Sequence, residues 1–268
     1  MGKIATNILA RGNGWSAGDV MCTAGPQDRP FEEQHGSISI AVVVEGSFQY
    51  RSPYGSAVMS PGSLLLGNFG QCFECAHEHG TGDRCLAFYY TPEFFERAHL
   101  EGRFPVPCIP STRALTPWVV QARLGILMPA RVVFEALAYG LAGAVLQVLG
   151  KSRESSRTPA PADERRISAT LRFIEANLGE PLSLQRLASD ANMSEFHFLR
   201  VFRQVTGATP HQYILRSRLR EAALRLRTRS DEVFEIALDT GFRDLSNFNH
   251  AFRAEFGVNP ARFRGKRP

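Results

Sequence analysis

Between positions 72 and 85 the chain places three thiols and two imidazoles: Cys72, Cys75, His77, His79 and Cys85. In an extended segment the side chains of Cys75, His77 and His79 fall on one face, and Cys72 points the opposite way. Thiolate with imidazole is the donor set that zinc and other borderline metals favour. That makes Cys75, His77, His79 and Cys85 a candidate metal site, and a metal ion the one possible cofactor. Two other readings stay open for the same residues: redox sensing through the thiols, or a structural segment in which cysteine is a small buried hydrophobe. A second group of side chains suits nucleic acid. Glu195, His197, Leu199, Arg200, Arg203 and Gln204 share one face of a helical pattern, as do Ser246, Asn247, Asn249, His250 and Arg253, and such side chains can reach base edges and phosphates.

A repeat positions this second group. Leu187 to Met193 matches Ile236 to Phe242 at an offset of 49; after one extra residue at Arg243 or Asp244 the offset is 50, setting Phe198 on Phe248, Phe202 on Phe252, Gly207 on Gly257 and Pro210 on Pro260. Each copy reads as two short helices joined by a tight turn. Asn192 and Gly241 stand where a sharp helix exit needs a left-handed residue. Ser194 and Asp244 stand where an N-cap opens the next helix, glycine ends that helix, and proline begins another. Helix-turn-helix is thus indicated twice, with the second helix of each copy as the recognition helix. A plain helical bundle with a duplicated hairpin is the alternative. Pro210 to Arg227 reads as one helix of about 26 Å, a strut able to set two recognition helices about 34 Å apart, one turn of duplex.

Length and charge bound the rest. The 268 residues leave room for two domains, and from Asp163 onward 18 Lys and Arg stand against 13 Asp and Glu, which holds the entire net charge of +5. A basic module beside a neutral one suits a reader of a polyanion. Met1 to Gly18 lacks a continuous apolar core of the secretory kind, and an odd number of cysteines points to reduced thiols in the cytoplasm. The longest apolar run, Ala136 to Leu149, is too short to span a bilayer. Residues 1 to 30 remain unplaced. From Ser37 to Tyr90 short strands alternate with glycine turns, as in a small antiparallel barrel or sandwich. Val132 to Leu149 reads as a helix apolar on nearly all sides, able to cover its own sheet or to pack on a second copy. The polar stretch from Lys151 to Asp163, with Pro159-Ala160-Pro161, makes a linker.

Residues 163 to 266 resemble the DNA-binding domain of the AraC/XylS family of bacterial transcription regulators. The run Gly241-Phe242-Arg243-Asp244-Leu245-Ser246-Asn247-Phe248-Asn249-His250-Ala251-Phe252-Arg253 and its continuation to Arg264 carry the resemblance, joined in the first copy by Leu184, Ala188, Ser194, His197, Arg200, Phe202 and Gly207. The resemblance implies base contacts from Phe196, Leu199 and Arg200 and from Ser246, Asn247, Asn249 and His250, with Arg203 and Arg253 also on DNA. Leu199 departs from the polar residue usual there and can instead touch a thymine methyl. Glu45-Gly46 and Ser60-Pro61-Gly62 between strands are similar to the cupin-like sensor domain often found ahead of this module. The metal-binding cupin pattern is absent, since His35 is followed by Gly36 and Ser37. The implied architecture is α+β: a cupin-like β-barrel with flanking helices over residues 1–150, a linker over 151–163, and an all-α domain with two helix-turn-helix motifs over 164–268. The implied protein is not an enzyme. It binds double-stranded promoter DNA as a cytoplasmic homodimer, works with RNA polymerase, and answers an effector, with a metal- or redox-responsive regulator acting through the Cys72 to Cys85 cluster as the alternative. A DNA-alkylation repair enzyme, which can carry the same helical module, would need a Pro-Cys-His-Arg run that does not occur here.

Overall fold

A computed structural model describes residues 4–28, 31–77, 80, 82–97, 103–151 and 159–265. The amino-terminal half begins with β1 (Ile4–Gly12), β2 (Trp15–Cys22), β3 (Phe31–Gln34), β4 (Ile38–Glu45), β5 (Phe48–Ser52), β6 (Gly55–Met59), β7 (Leu64–Gly67), β8 (Cys72–Ala76) and β9 (Asp83–Tyr90). Then come α1 (Pro92–Arg97), the short β10 (Cys108–Ile109), α2 (Thr116–Leu127) and α3 (Phe134–Lys151). Among the described residues these strands form two antiparallel sheets, in the orders β1-β2-β9-β4-β7-β10 and β3-β8-β5-β6. They face each other without closing, so the barrel or sandwich takes its two-sheet form.

The reason lies in β4. Ile38, Ile40, Val42 and Val44 point into the core beneath α2 and α3, while Ala41 and Val43 point into a second core shared with Phe48, Tyr50 and Met59 of the other sheet. A strand covered on both faces reads as a continuous apolar run rather than an alternation. Of the residues left unplaced in sequence, 4–22 form the β1–β2 hairpin, turned at Gly14 with φ +79° and laid against β9 through β2 so that Cys22 pairs with Asp83. The helix expected over Val132 to Leu149 is α3, whose Leu137, Ala138, Leu141 and Val145 are buried against the sheet. Among the described residues no helix is long and apolar enough to cross a membrane.

The carboxy-terminal half is helical: α4 (Pro161–Ala176), α5 (Leu184–Asp190), α6 (Glu195–Thr206), α7 (Pro210–Thr228), α8 (Val233–Asp239), α9 (Leu245–Phe256) and α10 (Pro260–Arg264). Helix α4 starts within the stretch expected as linker, of which 152–158 lie outside the described residues. One core gathers α4, α5, α6 and the start of α7 around Phe198 and Phe202; the other gathers the rest of α7 with α8 and α9 around Phe248 and Phe252. Both cores take in residues of the amino-terminal half, Val58 in the first and Val120 and Leu124 in the second.

Polar contacts seal the two halves. Arg220 of α7 is 2% exposed and donates to Ser111 Oγ at 2.8 Å and to the Pro61 carbonyl at 3.0 Å. Arg216 donates to the Ser111 carbonyl at 3.1 Å, Arg123 of α2 to Glu221 at 3.3 Å, and Gln49 to Glu164 at 2.9 Å.

Candidate nucleic-acid interface

The two copies of the repeat build the same object. In the first, the Ser194 hydroxyl accepts the His197 amide at 3.3 Å and opens α6; in the second, Asp244 accepts the Asn247 amide at 2.6 Å and opens α9. Both helices end on a left-handed glycine, Gly207 at φ +68° and Gly257 at φ +77°. Asn192 at φ +52° and Gly241 at φ +87° turn the chain into them, as the repeat predicts. With Phe198, Val201 and Phe202, or Phe248 and Phe252, turned inward, the remaining face of each helix must point outward.

That face carries the residues singled out in sequence. Phe196 is 81% exposed, an unusual position for a large aromatic ring. Leu199, Arg200 and Arg203 are exposed beside it on α6, as are Ser246, Asn247, His250 and Arg253 on α9, with Asn249 half-buried. Arg200 donates to His197 Nδ1 at 3.0 Å, and His197 Nε2 lies 3.3 Å from Asp163 of α4, so the guanidinium is held at the outer edge of α6. On the second unit, Asn249, His250 and Arg253 line a hollow with Asn259 and Pro260 at the start of α10.

The spacing of the two helices rests on the strut expected over Pro210 to Arg227 and on one arginine that the sequence did not single out. Helix α7 runs 19 residues from a capping box, in which Thr209 accepts the Gln212 amide at 3.3 Å and Gln212 accepts the Thr209 amide at 3.1 Å. At about 1.5 Å per residue it is a rod of about 28 Å. Midway along it, Arg218 donates to the carbonyls of Leu178 at 2.8 Å, Glu180 at 2.7 Å and Gly241 at 2.9 Å. Leu178 and Glu180 belong to the loop ahead of the first unit, and Gly241 is the turn of the second. One guanidinium therefore ties both units to the strut. Burial holds its pKa below the ordinary arginine value, with the charge of Arg243 adding to the effect. A charged residue at helical spacing gives no sequence signal for such a role.

The cysteine and histidine segment lies elsewhere, at one end of the two sheets. Cys72 is exposed at the start of β8, Cys75 is half-buried on β8, Cys85 is buried on β9, His77 is buried just beyond β8, and His79 lies outside the described residues. His77 Nε2 meets Asp83 Oδ2 at 2.6 Å. Burial pulls the His77 pKa down, but hydrogen bonds to Asp83 and Cys22 and their charges outweigh it and raise it to about 9. Burial, followed by the charge of Asp83, pushes the Cys75 and Cys85 thiols well up; a hydrogen bond to Glu32 raises Cys72, and burial takes Cys108 to about 12. Redox-reactive cysteines need a stabilised thiolate, which is the opposite condition.

Comparison with known proteins follows the same division. A family model described as a helix-turn-helix domain matches residues 187–266. The regulatory protein SoxS of Salmonella typhimurium is 34% identical over 98 residues, which is 37% of this chain and 92% of that protein. The HTH-type transcriptional activator AarP of Providencia stuartii is 38% identical over 98 residues, 37% of this chain and 73% of its own length. Among solved structures, the DNA-binding domain of AdpA in complex with a target DNA is 31% identical, covers 37% of this chain and 89% of that one, and has a TM-score of 0.36.

Proposed function

Because the chain belongs to the AraC/XylS family of DNA-binding transcription regulators, we propose that it reads promoter DNA by laying α6 and α9 into successive major grooves on one face of the duplex. The observation that carries this reading is the pair of outward helix faces, opened and closed by the same capping devices and tied to one rod through Arg218. Phe196, Leu199 and Arg200 contact bases from the first helix; Ser246, Asn247, Asn249 and His250 do so from the second. Arg203 and Arg253, one turn further along, meet phosphates. Arg200 suits guanine, Asn247 or Asn249 suits adenine, and Phe196 and Leu199 suit thymine methyls.

The domain division at about 150 and 164 gives the second half of this reading. The amino-terminal half senses an effector and passes its state through the surface that α7 shares with Ser111, Pro61 and α2. The protein acts by binding rather than by catalysis, in the cytoplasm, as a homodimer that meets RNA polymerase at the promoter. Tyr139, 51% exposed on the outer side of α3, offers apolar surface to a second copy.

The test starts from duplexes selected out of a random pool by the full chain, with affinity then measured at fixed salt. Arg200→Ala and Asn247→Ala should each cost about 1 to 3 kcal/mol, roughly 5- to 150-fold, confined to the base pairs each one reads. Arg203→Ala should weaken binding across all sequences and flatten the salt dependence. Unchanged affinity in both base-reading variants, with the fold intact, would remove α6 and α9 as readers.

A further inference from the structure

Three donors that are far apart in the chain meet at one end of the sheets. Cys22 closes β2, Asp83 opens β9 directly opposite it in the antiparallel register, and His77 arrives from the end of β8. One ligand atom from each, a thiol sulfur, an imidazole nitrogen and a carboxylate oxygen, lies within 4.8 Å of the other two. We propose that Cys22, His77 and Asp83 form a binding site for a borderline divalent metal of the zinc class, separate from the DNA-reading surface.

The donor set argues for that class. Magnesium and calcium select all-oxygen sites, whereas sulfur with nitrogen and one carboxylate suits zinc and its neighbours. The geometry is close to what is required. Bonds of about 2.0 to 2.3 Å place the ligands of a tetrahedral ion about 3.3 to 3.8 Å apart, so three atoms within 4.8 Å need to draw in by about 1 Å. The 2.6 Å contact between His77 and Asp83 is a hydrogen bond, shorter than the separation of two ligands on one ion. Loading therefore releases the shared proton and parts the pair slightly, while the thiol gives up its own proton.

Burial argues that the cluster is more than a strand tie. The side chains of His77 and Asp83 are 3% and 8% exposed, and Cys22 is 8% exposed. Removing an ion pair from water costs several kcal/mol that a well-packed apolar contact would not incur. The His77 ring is also held in a fixed plane, stacked on Phe48 with centroids 5.7 Å apart. Among the described residues these three side chains are the ones whose ligand atoms gather this closely, which leaves the fourth position of a tetrahedral ion to water. Cys22 and Asp83 are absent from the set that the sequence suggested, because nothing in their local sequence points to His77.

The experiment uses the full chain, freed of metal, titrated with zinc against a chromophoric chelator and with cobalt followed by absorption. One equivalent should bind, and the cobalt form should show a thiolate charge-transfer band in the near ultraviolet. Cys22→Ser should abolish that band, Asp83→Asn should weaken zinc binding by about 10- to 100-fold, and Cys72→Ser should change neither. Folded protein that takes up no stoichiometric zinc or cobalt overturns the proposal. So does a site that survives Cys22→Ser and Asp83→Asn but is lost in Cys75→Ser or His79→Gln, which would assign the metal to the other set.

Discussion

Replacing Arg220 with methionine removes a buried cation from the seam between the two halves while keeping much of its volume. Its guanidinium donates to Ser111 Oγ and Ser217 Oγ at 2.8 Å each, to the Pro61 carbonyl at 3.0 Å and to Glu175 at 3.4 Å. Gly62, at φ +92°, presses so close that a Cβ there would sit 2.6 Å from Arg220 Nη1. Breaking a buried charge pair costs about 3 to 5 kcal/mol, mostly through the partners left behind. Here Glu175 keeps a 2.6 Å hydrogen bond from Ser217 and is 23% exposed, which moves the expected loss to the lower end, about 3 kcal/mol. With an m-value of about 3 kcal/mol per molar urea, the unfolding midpoint should fall by about 1 M. Two probes separate the halves: both tryptophans, Trp15 and Trp118, lie in the amino-terminal half, while the far-ultraviolet dichroism is dominated by the helices. Because the arginine bridges the halves, both signals should move. A shift below about 0.3 M in both would refute the assignment of Arg220 as a main bond across the seam.

Two further outcomes follow from local chemistry. His35 is hydrogen-bonded to Tyr50 Oη at 2.9 Å and stacked on Phe73 at 4.2 Å, and burial lowers its pKa from 6.5 to about 4. A depressed pKa favours the neutral ring in the fold, so this stability is complete above pH 6.5 and is lost as pH falls toward 4, by about 3 kcal/mol. The acid limb of a stability profile should flatten in His35→Gln, and an unaltered limb would assign the acid sensitivity elsewhere. In the helical half, Asn192→Gly should cost less than about 1 kcal/mol, since glycine accepts φ +52° freely. Gly241→Asn should cost about 2 kcal/mol or more, because its Cβ would lie 2.5 Å from the Leu178 carbonyl as well as at positive φ. Equal costs in urea unfolding would mean that the turn of the second unit is not clamped.

The helical half was legible because its signals are local. Asn192, Ser194, Gly207 and Pro210, and their counterparts Gly241, Asp244, Gly257 and Pro260, each act within one turn of the backbone, and the repeat states them twice. The sheets were legible only in part. β4 showed as Ile38, Ile40 and Val42 alternating with small residues, but β1 is exposed along most of its length and β2 carries Ser16, Ala17, Gly18 and Asp19, so neither shows an alternation that marks a strand. What holds them is the pairing of β1 with β2 and of β2 with β9, the latter a contact some 65 residues away, as with Asp19 and Arg84 at 2.7 Å. The cluster of Cys22 with Asp83 and the carbonyl ties of Arg218 escaped for the same reason, since long-range register leaves no mark on neighbouring residues.

The contacts between the halves limit how an effector could act. The amino-terminal half touches both reader units at once. Val58 enters the first core, Gly207 at the end of α6 leaves only 2.7 Å between a would-be Cβ and Pro110, and Thr116 donates to Glu255 of α9 at 2.6 Å. The spacing between the units, however, is fixed inside the helical half by Arg218 and the α7 rod. In the proposed reading, an effector working across the seam would therefore change how the reader pair is presented more easily than it would change the distance between α6 and α9. Such coupling is worth about 1 to 3 kcal/mol in comparable systems, and it arises only if the effector binds the docked and undocked arrangements with different affinity. The seam combines the buried apolar contacts of Val58, Val120 and Leu124 with a few polar ones, Arg220 chief among them, and losing one of the polar ones is a change of about that size. A rod clamped to three carbonyls is the stiffer part, and it is the part that must stay fixed for the two helices to enter the duplex together.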